Sequence, residues 1–112
     1  MADPDAHING SLATIHVRTS ERGPVLRVSG ELDVNNSHLV VETVRSLDLD
    51  GQRMVAVDLT DLTFCDASAL AAFIKASQHL RQVGGRLVIT RASGIPRRVL
   101  TFPGVDKYLE VQ

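Results

Sequence analysis

A chain of 112 residues, 44% hydrophobic and 22% charged, is one globular domain able to bury a core without metal or disulfide staples. Its net charge of −1 excludes the strongly basic balance of a general nucleic-acid binder, and no apolar run approaches the roughly 18 residues of a membrane span. The single Cys65 excludes an internal disulfide and a multi-cysteine zinc site, and the whole composition fits a cytoplasmic protein.

Residues 1–13 (MADPDAHINGSLA) are small and polar without periodicity and read as a flexible tail, which leaves residues 14–112 as the domain. Thr14–Arg18 alternates, with Ile15 and Val17 on one face, and predicts a half-buried strand. Glu21–Pro24 is a turn, and Val25–Ser29 returns as the second strand of a hairpin ending at Gly30. Asn35, Asn36 and Ser37 offer caps to a helix whose apolar positions are Leu39, Val40, Val44 and Leu47, closed by Asp50-Gly51. Met54–Leu59 is a nearly continuous apolar run and predicts a central strand buried on both faces. Asp66–Val83 is the strongest helix, with Ala69, Phe73, Ala76, Leu80 and Val83 in one stripe and Gly84-Gly85 as its stop. Arg86–Thr90 is a further buried strand, Ile95–Phe102 a short helix with Pro96 in its first turn, and Tyr108–Val111 a final edge strand. The order β-β-α-β-α-β-α-β predicts a single α/β domain: a mixed, mostly parallel sheet of four to five strands with about three helices.

The chain carries no GxxxxGK[ST] loop and no GxGxxG, so no nucleotide cofactor is expected. Its four histidines are scattered without HExxH, and no metal site is expected either. His16 reads as a surface strand residue and His79 as a residue on the wet face of the long helix. The nearest approach to a hydrolase elbow, Asp66-Ala67-Ser68-Ala69, lacks both glycines, and the domain has little spare surface for a closed pocket around Asp33, Asp58 and Asp66. The chain is therefore read as a non-enzyme. Cys65 reads as a small buried apolar residue. Charge is uneven: residues 31–74 hold eight acids and two bases, a sum of −6, whereas residues 75–112 sum to +5. The acidic middle reads as a solvated face or as a surface for a basic partner.

The segment Val55–Leu70 is a strand, a turn and a helix start, and taken alone it is an ordinary capped connection. Its run DLTFCDASAL, however, resembles the Asp-Ser-Ser-Gly-Leu motif of the STAS domain family, the anti-sigma factor antagonists. Ser29-Gly30-Glu31-Leu32-Asp33 resembles that family's SGELD loop, Val83–Leu87 its helix end, and Val99–Val105 its final helix and turn. The resemblance spans Thr14 to Val111. It implies a STAS fold in which Ser68 is the phosphoacceptor, with Glu31, Asp33, Asp66, Ala67, Ser68, Ala69 and Leu70 on the partner surface and Asp33 beside Ser68. It also implies a partner switch. The unphosphorylated chain binds an anti-sigma factor that is also a serine kinase, frees a sigma factor, is turned off by phosphorylation of Ser68, and is reset by a serine phosphatase. No membrane or direct nucleic-acid contact belongs to that scheme, and no cofactor of the chain's own. Two positions depart from the motif: Ala67 replaces the first Ser, leaving one acceptor, and Ala69 stands where Gly is usual, its methyl set to hinder a kinase. Many relatives continue into a further helix, which implies a sheet left partly uncovered or paired with a second copy as a homodimer. An alternative is a non-phosphorylated scaffolding or small-ligand-binding STAS module in which Ser68 is only a cap. A third reading is a small phosphotransfer enzyme.

Overall fold

The computed structural model describes residues 12–112, so the expected tail lies outside the described residues apart from Leu12 and Ala13. Ala13 is not tail: it is buried and opens the first strand. The hairpin is longer than its alternation suggests. Strand β1 (Ala13–Ser20) pairs antiparallel with β2 (Gly23–Leu32) from Ala13–Gly30 to Ser20–Gly23, around a turn at Glu21-Arg22. Ile15 is buried on β1, whereas Val17, expected on the same buried face, is exposed. β1 is an edge strand of the sheet, and a correct period cannot report how far the covering layer reaches over it.

β2 is the organising strand. Its first half pairs in parallel with β3 (Met54–Asp58), and its second half with β4 (Leu62–Cys65). β3 continues in parallel to β5 (Arg86–Thr90) and β5 to β6 (Glu110–Val111), giving the order β1-β2-β3-β5-β6 with β4 joined to β2. The mixed, mostly parallel sheet is as expected, with six strands where four to five were read. β4 escapes sequence reading because it is only four residues long and buries its two ends, Leu62 and Cys65, leaving Thr63 and Phe64 exposed. That is neither alternation nor a continuous apolar run. The turn before it is tight: the Asp58 carboxylate accepts from the Thr60 backbone N–H at 2.9 Å and from its hydroxyl at 2.6 Å.

Three helices, α1 (His38–Ser46), α2 (Ala67–Gln82) and α3 (Gly94–Leu100), and a 3-10 turn at Val105–Lys107 complete the chain. α1 stops at Ser46, four residues before the expected Asp50-Gly51. α3 starts one residue early and stops at Leu100, with Pro96 in its first turn and Phe102 left exposed beyond it. The α2 stripe is buried at Ala69, Phe73, Ala76 and Leu80, but Val83 is 57% exposed, because the helix ends at Gln82 and Val83 is its C-cap. His79 is half-buried rather than fully wet.

The core lies between the helices and one face of the sheet. Leu26, Val28, Val55, Val57, Leu87 and Ile89 meet Val40, Val44, Phe73, Leu80 and Leu100 there. The opposite face of the sheet carries His16, Arg18, Arg27, Ala56, Asp58 and Thr90, all exposed or half-buried. β3 is therefore not buried on both faces as its apolar run suggests. On that face Ala56 is half-buried, while Val88, between Ala56 and Glu110 in register, is buried.

Candidate functional site

β2 and β4 end in register, Leu32 opposite Cys65, so the chain leaves the sheet twice at one place. After Leu32 comes the Asp33 loop, and after Cys65 comes the start of α2. Both helices then fold back over the sheet, with their first turns side by side.

The Asp33 loop is held from within. The Asp33 carbonyl accepts from the backbone N–H groups of Asn36 and Ser37 at 3.3 and 2.9 Å, and its carboxylate accepts from the Asn35 N–H at 2.9 Å. Asn36, only 2% exposed, accepts from the Asp33 N–H at 2.9 Å and donates to the Glu31 carbonyl at 3.0 Å. Asn36 thus does not cap α1, and Ser37, which stands at the cap position, makes no side-chain capping bond either. Buried amide groups must find partners, and Asn36 finds them in its own loop.

Asp66 is the N-cap of α2, with extended backbone, and its carboxylate accepts from the Ala69 N–H at 3.1 Å. The same oxygen accepts from the Ser68 hydroxyl at 2.5 Å. The Ser68 hydroxyl is the largest influence holding the Asp66 carboxyl below the ordinary carboxylate range, with the backbone N–H groups adding to it against partial burial. Asp66→Ala is expected to cost about 1 kcal/mol at pH 7, with Asp66→Asn retaining most of that. The native carboxyl titrates below its unfolded counterpart, so its contribution is complete above about pH 4 and is lost as the native group protonates. Urea unfolding of the wild type and Asp66→Ala should therefore show a gap that narrows from pH 7 to pH 3.

The site residues read from the sequence part company at α2. Ser68 is half-buried and faces a groove between α1 and α2. Ala67 is exposed, as is Glu31 on β2, and Asp33 is half-buried. Ala69, expected on the partner surface, is 0% exposed, and its methyl packs into the core. Leu70 points to the other side of α2, into a shallow hollow shared with Ile74 and Tyr108.

The groove, of about 410 Å³, was not legible beforehand. α1 lines it with Ser37, His38, Glu42 and Arg45, and α2 with Ser68 and Lys75 over a floor of small alanines. Its charged lining is two permanent cations and a histidine against one carboxylate, with His38 Nε2 and Glu42 Oε2 3.5 Å apart. The acids of the middle segment do not form one surface. Asp61 pairs with Arg27 at 2.5 Å, and Asp58 belongs to the open sheet face, where burial pushes its carboxyl up but Thr60, Arg91 and Arg27 hold it below the ordinary range. Glu31, Asp33 and Asp66 do share the end of the sheet where β2 and β4 finish.

Cys65 is buried, as read from the sequence, and burial, reinforced by the Asp66 charge, pushes its thiol up to about 11. It is a packing residue and not a thiolate. Among the described residues no three His, Cys, Asp or Glu side chains cluster as metal ligands, and no described helix is long and apolar enough to cross a membrane.

Against known proteins, the family described as "Mlab, STAS domain" matches residues 15–111. The chain belongs to the STAS domain family. The anti-sigma-B factor antagonist of Listeria monocytogenes is 26% identical to this STAS domain over 85 residues, covering 76% of this chain and 75% of the relative. An anti-sigma factor antagonist from Mycobacterium paratuberculosis has the same fold, with a TM-score of 0.75 at 20% identity over 99% of this chain and 89% of that one. So does the anti-sigma factor antagonist SpoIIAA. Its unphosphorylated form gives a TM-score of 0.71 at 20% identity, over 88% of this chain and 87% of that one. The phosphorylated form of the Bacillus protein gives 0.65 at 21% identity, over 88% and 90%. The STAS fold explains why the Asp33 loop and the Ser68 turn share one end of the sheet: each follows a strand of the same parallel pair.

Proposed function

We propose that this STAS domain is an anti-sigma factor antagonist that works by partner switching, with the Ser68 hydroxyl as the switch. The observation that carries the reading is the setting of that hydroxyl. It is half-exposed in the first turn of α2, points its proton at Asp66, and opens on the groove between α1 and α2. The alternative scaffold role made Ser68 a helix cap, whereas Asp66 stands at the cap position and the Ser68 hydroxyl donates to it instead of to the backbone.

In its unmodified state the domain binds an anti-sigma factor with serine kinase activity, which releases a sigma factor. The kinase supplies ATP and Mg²⁺. The Ser68 oxygen attacks the γ-phosphorus, the bond to the bridging oxygen breaks, ADP leaves, and the hydroxyl proton passes to a base of the kinase. Asp66 orients the hydroxyl and turns its lone pairs outward; its depressed basicity makes it a poor final acceptor of the proton. The first-turn N–H groups and dipole of α2 favour the added charge of about −1.5 to −2, so the free domain keeps its fold. The penalty falls on the complex, whose surfaces fit a bare hydroxyl. A serine phosphatase hydrolyses the ester and restores binding.

Incubation with the cognate kinase and ATP should add the mass of one phosphate to the wild type and none to Ser68→Ala, read by intact-mass spectrometry. An unmodified wild type, with a kinase active on a control substrate, refutes the reading. Turnover of nucleotide by the isolated chain would instead support the enzyme reading.

A further inference from the structure

Ser37 is 7% exposed, lines the groove that Ser68 faces, and makes no side-chain capping bond to α1. A hydroxyl at a helix cap position normally satisfies a first-turn N–H. Here it caps nothing, while its position beside Ser68 points it to a group that arrives later. Around it the groove gathers donors of the right kind: His38 at the start of α1, and Lys75 on the α2 face that carries Ser68.

We infer that the groove between α1 and α2 is a receptor for a phosphomonoester dianion, the phosphoryl group carried by Ser68, with Ser37, His38 and Lys75 as its donors. The inference rests on the reading of Ser68 as phosphoacceptor and adds where the phosphate goes. Phosphorylation removes the hydroxyl proton that now bonds Asp66 and sets two like charges together. The phosphoryl group must turn away from Asp66, and the groove is the cationic side. Lys75 lies seven residues beyond Ser68, a rise of about 10 Å along the helix. Helical side chains lean toward the N-terminus, and a lysine stem of about 6 Å covers most of that distance. The phosphate's own reach closes the remainder. His38 Nε2 lies 3.5 Å from Glu42 Oε2, and both residues line the groove. Arg45 lies a further two turns along α1 and adds to the field from the far end of the groove. A phosphate so held also occupies the groove, so that a partner element seated there is displaced as well as repelled.

The test uses the full chain with phosphoserine installed at position 68 during translation, so no kinase is needed. The second ionisation of the phosphoserine is followed by phosphorus NMR in the parent and in Ser37→Ala, His38→Gln and Lys75→Gln. Lys75→Gln and His38→Gln should each raise the titration midpoint by about half a pH unit, and Ser37→Ala by less. Arg81→Gln, an exposed cation further along α2, should leave it unchanged. Identical midpoints in all proteins would overturn the receptor, as would an equal effect from Arg81→Gln, which signals only a general field. The unmodified chain, titrated with inorganic phosphate, should bind it no more tightly than about 1 mM. Micromolar binding would mean a site built for a free anion and would overturn the assignment to the tethered group. Failure of the kinase experiment bears on the switch alone, and an unchanged phosphorus titration bears on the receptor alone.

Discussion

Ser68→Glu is expected to weaken the complex with the anti-sigma factor about a hundredfold, close to 3 kcal/mol. The Ser68 oxygen lies 2.5 Å from the Asp66 carboxylate and donates its only proton to it. A negative group at this place loses the donor, meets the Asp66 charge, and intrudes on a contact fitted to a hydroxyl. In the free domain the start of α2 offsets much of that, so circular dichroism and thermal unfolding should match the wild type. In the complex nothing offsets it. Ser68→Ala separates charge from loss of the hydroxyl: it removes the hydrogen bond, adds no charge, and should bind within a few-fold of the wild type. Calorimetric titration of the three proteins decides the matter. Equal affinity of Ser68→Glu and wild type, both folded, would end the switch as described.

Gly30→Ala is expected to lower stability by about 3 kcal/mol, or about 12 °C in melting temperature for a domain of this size. Gly30 sits at φ +89, where a side chain is strained, and an added Cβ would lie 2.0 Å from the Leu12 carbonyl oxygen. That oxygen accepts from the Glu31 N–H at 3.0 Å, so it cannot retreat without breaking the start of β1 from β2. Gly30 also donates its own N–H to the Asp61 carbonyl at 3.0 Å, and its carbonyl accepts from the Thr63 hydroxyl at 3.0 Å. It therefore joins β1, β2 and the start of β4 at the point where pairing on β2 shifts register. Because β4 delivers Asp66 and Ser68, the variant should also lose partner affinity beyond its loss of fold. Urea unfolding, and binding measured well below the melting temperature, read the two effects separately. A melting temperature within about 2 °C of wild type would show that the β1 start is not held against Gly30.

The glycine and the serine differ in how visible they were beforehand. Ser68 and its cap Asp66 stand out in the chain because a strand, a turn and a helix start occur in that order with capping chemistry between them. The likeness of that run to a family motif then sets Ser68 apart from an ordinary first-turn serine. Gly30 is visible as the end of a hairpin strand and as a member of the SGELD-like run, and neither announces its crowding. Its close approach to Leu12 comes from the pairing of β1 with β2, and no local pattern announces it. Ala69 shows the opposite case. Its place in a motif suggested a surface role, while its place in the α2 stripe, one position of the same helical period as Phe73, buries it. Period prevailed over motif there because a side chain in line with the core stripe has no route to solvent.

Local chemistry determined the number and kind of the helices, five of the six strands, the parallel character of the sheet and the cap on which Ser68 depends, since each rests on neighbours within a few residues. Tertiary structure alone decided that β4 exists, that one face of the sheet stays open, and that Ser37, His38 and Lys75 line a groove with Ser68. These follow from pairing β2 with β4 across more than thirty intervening residues, which sets two helix starts side by side. Hydrophobic period records which side of each element is buried, but it carries no record of which elements meet.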